Sequence, residues 1–227
     1  MKLRNRMVYK TVRNLIAVVA RLFLRVRVRG TRNHLPGPKI YAVNHPTEID
    51  MFPIFVFTRD IIHTMINPYI FDLPVIKTLL RLTEQIKIRR NTRKHETIEE
   101  AKKVLLNGEA LLIAPQGERV KFNDYPRPKR GIVRLALESR VPIIPVGIGI
   151  PHDMIQIRQV FYKEENIYRE SYFPRFRAPY GIVFGEPISF ESYYGKKIDR
   201  ETLQKLADKV MDIIYGLQKE AEEMMSG

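Results

Sequence analysis

The chain has no cysteine. That absence removes disulfides, thiolate nucleophiles and zinc-thiolate sites together, so nothing marks the protein as secreted and a cytosol-facing location is the default. Acid is missing from one end: between Met1 and Thr47 there is no Asp or Glu, against eleven Lys or Arg. A bilayer-spanning run is missing too. In the amino-terminal stretch the uncharged run from Asn14 to Ala20 is far short of the ~20 apolar residues a spanning helix needs. A cleaved signal peptide is not expected either, because Arg21, Arg25 and Arg27 stand where a small-residue cleavage site belongs.

What is present is one chain of 227 residues, 44% hydrophobic, enough for a single well-buried α/β domain. Its net charge of +14 comes mostly from the acid-free end. That distribution suits an anionic surface, either lipid headgroups or nucleic acid. Within it, Val8, Val12, Leu15, Val19 and Leu22 recur at helical spacing with Lys10, Arg13 and Arg21 largely on another side, which predicts an amphipathic helix. Such a helix lies on a membrane or packs its apolar face on the domain core, and periodicity does not choose between them. Residues 1–29 are therefore read as a basic amphipathic segment and 30–227 as one domain.

Further along, VRVRG (26–30), KIYAV (39–43), QIKIR (85–89), ALLIA (110–114), PIIPVGIG (142–149) and GIVFG (181–185) read as short strands. TIEEAKKVLLNG (97–108) and GIVRLALESR (131–140) read as helices, the first closed by Asn107-Gly108. A long amphipathic helix follows Asp199, with an interruption expected at Gly216. Alternation of this kind predicts an α/β fold with a mixed, partly parallel sheet flanked by helices.

One short stretch carries chemistry. NHPTEID (44–50) follows the strand KIYAV, so Asn44 and His45 sit at the carboxyl end of a strand, where α/β proteins commonly build sites. MFPIFVF then continues as a helix, with Thr47 as its expected N-cap and Asp50 three residues on at capping-box spacing. On that view His45 is an ordinary loop residue; on the other, His45 and Asp50 are a base and its orienter. IKIRRNTRK (86–94) and IAPQGERVK (113–121) each run a strand into cations, and the planar fork of Arg suits phosphate recognition. A surface salt bridge explains Arg89 as well.

In this order the motifs resemble those of the glycerophospholipid acyltransferases of the 1-acylglycerol-3-phosphate type. NHPTEID matches the Asn-His-x4-Asp motif, and IKIRR matches a strand ending in a phosphate-binding arginine, aligned with Arg90. APQGER matches a motif usually written Phe-Pro-Glu-Gly-Thr-Arg, and VPIIPV (141–146) matches the fourth. KRGIVRLALES and VFGEPISF are also typical, and the resemblance runs from about residue 30 to 190. Two positions depart from the pattern: Gln116 stands where the family has Glu, and Glu118 where it has Thr.

The resemblance implies direct acyl transfer from an acyl carrier protein or coenzyme A thioester to a lysophospholipid hydroxyl. His45 would be the general base oriented by Asp50, with Asn44, Arg90, Gln116, Gly117, Glu118 and Arg119 lining the acceptor site. No cofactor and no metal are implied, since His34, His63, His95 and His152 show no ligand spacing. Glycerol 3-phosphate, another lysolipid or a glycolipid are alternative acceptors, and a catalytically silent lipid-binding relative is the reading suggested by Gln116. The implied location is the cytoplasmic face of the cell membrane, on an anionic surface. A nucleic-acid-binding protein is the reading of another class, but no helix-turn-helix, zinc finger or RNA-binding aromatic motif appears, so no nucleic acid partner is expected. The stretch 161–180, rich in aromatics and cations, is read as a second contact with the interface or as an irregular surface excursion.

Overall fold

The computed structural model describes residues 3–71, 74–89, 94–117, 126–162 and 166–226. Helix α1 (Leu3–Phe23) leads without a turn into strand β1 (Leu24–Arg29). Then come β2 (Ile40–Val43), α2 (Met51–Phe57), β3 (Ile62–Ile66), α3 (Pro68–Phe71), α4 (Pro74–Leu82), β4 (Ile86–Lys87), α5 (Lys94–Leu106) and β5 (Ala110–Ile113). After α6 (Gly131–Ser139) and β6 (Ile143–Gly149), the chain forms β7 (Ile155–Tyr162), β8 (Ile167–Pro174), β9 (Ala178–Phe184) and α7 (Arg200–Ser226). Seven strands form one sheet in the order β1-β9-β6-β2-β5-β3-β4. Every neighbouring pair in it is parallel except β6 with β9. The sheet is mixed and mostly parallel, as the alternation predicts.

The central strands are short continuous apolar runs because both of their faces are covered. Ile40 and Ala42 of β2 point into a core closed by α5, α6 and α7, while Tyr41 and Val43 point into a second core with Ile54 of α2 and Tyr180 of β9. Each fully buried Ile or Leu in these layers contributes roughly 1.5–3 kcal/mol. All six strands read from the sequence lie in this sheet. The seventh, β3, carries His63 and Thr64 in its middle, and these buried polar residues break the apolar signal.

Three expectations need correction. Helix α7 is opened by Asp199, which accepts the Thr202 amide at 2.7 Å, but it is not interrupted at Gly216. An interior glycine costs about 1 kcal/mol, and docking offsets it: Gly147, Gly149 and Gly181 let the α7 backbone at Leu217, Ala221 and Glu222 approach so closely that no Cβ would fit. The described part of the stretch 161–180 is not an irregular excursion. Strands β7 and β8 pair as an antiparallel ribbon, with the Phe161 and Tyr168 rings tilted against each other at 5.0 Å between centroids, and β9 follows in the main sheet. Finally, β1 pairs in parallel with β9, so the sheet begins inside the segment read as the amino-terminal one.

Helix α1 packs part of its apolar surface on the domain and leaves the rest exposed. Tyr9 and Ala20 are buried, and the Tyr9 hydroxyl accepts the Ile62 amide at 3.0 Å, tying the helix to β3. Asn5 donates to Glu84 at 2.7 Å. The expected stripe is split: Val8 and Val12 turn towards the domain, while Leu15, Val19 and Leu22 are exposed, together with Val18 and Phe23. The Phe23 ring meets the exposed Phe176 edge-to-face at 5.5 Å. Among the described residues no helix is long and apolar enough to cross a membrane.

Candidate active site

Strands β2, β5, β3 and β4 run parallel and adjacent, so their carboxyl ends share one edge of the sheet. The described residues just beyond β2, β5 and β4, among them His45, Gln116 and Arg89, therefore lie along that edge, where open α/β sheets commonly build sites. Asn44 is the first residue beyond β2. Its carboxamide accepts the Ile148 amide at 2.7 Å and donates to the Ile148 carbonyl at 2.9 Å and to Gln218 Oε1 at 3.0 Å. In this arrangement the buried Asn44 amide clamps β2 to β6 and α7.

His45 and Asp50 are brought together. Nδ1 of His45 lies 2.8 Å from Asp50 Oδ2. Asp50 also accepts the Thr47 amide at 2.7 Å, the Thr47 hydroxyl at 2.5 Å and the Tyr180 hydroxyl at 2.6 Å. A carboxylate with no solvent exposure needs such partners, because burying an unpaired charge is expensive. With three donors already facing Asp50, the imidazole is added as a fourth, with its proton on Nδ1. Nε2 is then the basic nitrogen. It has no protein partner among the described residues, and the ring remains 16% exposed.

The capping box is made in part. Asp50, not Thr47, occupies the N-cap position of α2 and makes no cap hydrogen bond there, but its carboxylate accepts the Thr47 amide, the reach-back bond that the spacing predicts. The same carboxylate holds His45, so the turn that opens α2 also fixes the acid beside the imidazole.

Beyond β5 the chain turns tightly: the Gly117 amide donates to the Ala114 carbonyl at 2.9 Å, and Gly117 has a φ of +79°. Only glycine takes that angle without strain. A side chain there would also strike the stem of Lys129, whose own amide donates to the Pro115 carbonyl at 2.8 Å. Gln116 is buried at 4% exposure, with Nε2 3.4 Å from the Tyr215 hydroxyl and Oε1 without a partner among the described residues. Arg90, Glu118 and Arg119 lie outside the described residues. Arg89 is held by Glu96 at 2.9 Å and Glu100 at 2.7 Å, both on α5, which supports its reading as a structural ion pair.

Three residues at the site had no signal in the sequence. Tyr180 on β9, and Tyr215 and Gln218 on α7, arrive from elements far along the chain. Burial and the adjacent Asp50 carboxylate push the Tyr180 phenol well above its ordinary range, so it remains a donor to Asp50.

Comparison with known proteins follows the same lines. The sequence pattern of the family described as Acyltransferase matches residues 25–149, which include β1 through β6 and the whole 44–50 and 114–117 stretches. A cattle (Bos taurus) protein described as a "DGAT1/2-independent enzyme synthesizing storage lipids" is 25% identical over 179 residues, covering 74% of this chain and 49% of that protein. A coconut (Cocos nucifera) 1-acyl-sn-glycerol-3-phosphate acyltransferase is 30% identical over 116 residues, covering 50% of this chain and 38% of the other. The chain thus spans half or less of the length of these curated relatives. In three dimensions it is similar to the crystal structure of the 1-acyl-sn-glycerophosphate acyltransferase PlsC from Thermotoga maritima. That match has a TM-score of 0.66 over 99% of this chain and 84% of the other, at 19% identity, and it shows a shared fold. With the family pattern spanning more than half of its length, the chain belongs to the acyltransferase family.

Proposed function

We propose that the protein transfers a fatty acyl group from an acyl thioester to the hydroxyl of a lysophospholipid, with 1-acylglycerol-3-phosphate as acceptor and phosphatidic acid as product. The observation that carries this reading is the 2.8 Å contact between His45 Nδ1 and a fully buried Asp50, with Nε2 unpartnered. An alcohol is too weak a nucleophile to attack a thioester unaided, so Nε2 takes its proton as the oxygen adds to the carbonyl carbon. Asp50 holds the required tautomer and stabilises the imidazolium that forms. Collapse of the tetrahedral intermediate breaks the carbon–sulfur bond, and the imidazolium returns its proton to the departing thiolate. The chain has neither a cysteine nor a G-x-S-x-G elbow, so an acyl-enzyme is not invoked.

The acceptor's phosphate is assigned to Arg90 and Arg119, the cations of the matching motifs, which turn remote binding energy into orientation of the hydroxyl. Gln116, Gly117 and Glu118 complete that side of the site. The donor is an acyl carrier protein or coenzyme A thioester. The exposed apolar residues of α1, flanked by Arg21 and Arg25, suit attachment to the cytoplasmic face of an anionic membrane without spanning it.

The test is a panel assay of purified protein with both thioesters and lysophosphatidate, glycerol 3-phosphate, other lysolipids and a glycolipid, read by mass spectrometry. Acylation of lysophosphatidate in preference to the others is the expected result. No acyl transfer to any acceptor would sink the reading and leave a silent lipid-binding relative.

A further inference from the structure

Outside the catalytic stretch, a groove of about 580 Å³ lies between the amino-terminal ends of α6 and α7. Five cations line it: Arg127, Lys129, Arg130, Arg134 and Arg200. Two of these are neutralised, Arg127 by Asp208 at 3.1 Å and Arg134 by Glu138 at 2.6 Å. Among the described residues, Lys129, Arg130 and Arg200 make no ion pair. The nearby acids are engaged elsewhere: Asp199 accepts from Thr202, and Glu201 pairs with Lys205.

This charge arrangement works against stability. The amino-terminal end of a helix carries partial positive charge and favours Asp or Glu, yet α6 has no acid in its first turn, Arg130 at its N-cap and no side-chain cap. Arg200 adds a further cation at the start of α7, although that helix end has Glu201 in its first turn and is capped by Asp199. Cations crowded into a concave space where anions would be favoured mark a place whose charge balance is completed by a bound anion. The groove is also connected to the site. Pro128 accepts from Gln204 of α7 at 3.0 Å, and the next residue, Lys129, bonds to Pro115 and covers Gly117, in the turn after β5, the immediate neighbour of β2.

We infer that this groove binds the phosphorylated end of the acyl donor, the 3′-phosphate and diphosphate of a coenzyme A thioester. The inference rests on the acyl-transfer reading for the donor's identity. A compact, concave, multiply cationic groove suits clustered phosphates, since each unpaired Arg offers a planar fork of donors to phosphate oxygens. Lys129 lines the groove and also touches the turn after β5, which links this handle to the edge of the sheet where His45 stands.

The experiment compares the full chain with the Arg130→Gln/Arg200→Gln double variant. Binding of 3′,5′-ADP, which carries phosphates but no thioester, is measured by calorimetry. Donor use is measured as kcat/KM for palmitoyl-coenzyme A against the palmitoyl thioester of N-acetylcysteamine, which lacks the phosphates. The expected result is binding of 3′,5′-ADP that weakens about tenfold per arginine removed, with preference for the coenzyme A donor falling by a similar factor. If thermal melting shows the double variant unfolded, the single Arg200→Gln change, at an exposed helix start, takes its place. No 3′,5′-ADP binding by the wild type, or equal binding by the variant, overturns the inference. So does a loss confined to an acyl carrier protein donor, which would make the groove a contact for an acidic protein. Arginine-dependent 3′,5′-ADP binding without acyl transfer from any donor would instead retain the site and refute the acyl-transfer reading.

Discussion

The Tyr180 phenol donates to Asp50 Oδ1 at 2.6 Å across 130 residues of sequence, and neither side chain is accessible to solvent. Together with the Thr47 hydroxyl it occupies one carboxylate oxygen, leaving the other for His45 and the Thr47 amide. Tyr180 is thus a positioning residue for the dyad. Tyr180→Phe should lower kcat about tenfold with little change in acceptor KM, and cost about 1–2 kcal/mol of stability. A melt shifted by that amount with unaltered kcat would reduce Tyr180 to a packing role.

Replacing the dyad itself should separate chemistry from capping. His45→Ala is expected to abolish turnover with an unchanged circular dichroism spectrum, and Asp50→Asn to cost about 10³–10⁴ in kcat by favouring the wrong tautomer. Near-normal rates in His45→Ala would refute general-base catalysis.

Neighbouring arginines after β4 should behave differently. Arg89→Ala removes two ion pairs to α5, so about 1 kcal/mol of stability should go while acceptor KM stays. Arg90→Ala and Arg119→Ala should raise KM for lysophosphatidate far more than for a phosphate-free analogue. Steady-state kinetics on both acceptors decides, and the reverse ranking of Arg89 and Arg90 would shift the motif by one residue.

Deleting residues 1–24, the obvious test of membrane attachment, would also remove Tyr9 and Ala20 from the core and strip β1 of its buried Leu24. Charging the outer face is cleaner. Leu15→Glu with Leu22→Glu should release the protein from anionic vesicles in a sedimentation assay at unchanged melting temperature, because both side chains are exposed. High salt should weaken binding of the wild type only in part, since screening reduces the attraction of the basic residues but not of the apolar ones. Selective binding to nucleic acid with no affinity for vesicles would favour the other class of function.

Gln116 presents a buried carbonyl oxygen with no partner among the described residues. Gln116→Glu would place a carboxyl group in that position, which destabilises the free protein because a buried charge without a partner is expensive, and should change the preference between lysophosphatidate and glycerol 3-phosphate. Melting with and without acceptor, alongside the same assays on Glu118→Gln, tests this. An unaltered melt and unaltered preference would mean that position 116 does not face the acceptor.

By itself the sequence determined the backbone plan. Short β-branched runs and 3.6-residue periodicity are local signals, and they located six strands of the main sheet, the helices α5 to α7 and the strand-end positions of His45 and Gln116. The histidine and aspartate could also be paired from sequence, because five residues of chain keep them within reach. Tertiary structure decided what those residues touch. Asp50 is held by Tyr180 as well as by its own turn, and the Asn44 amide is held by Ile148 and Gln218, partners more than 100 residues away. The helix through Gly216 likewise depends on glycines in β6 and β9 that make room for it. Local propensity sets which backbone shape each segment prefers, but strand order and close packing set its neighbours, and the chemistry of a side chain lies in those neighbours.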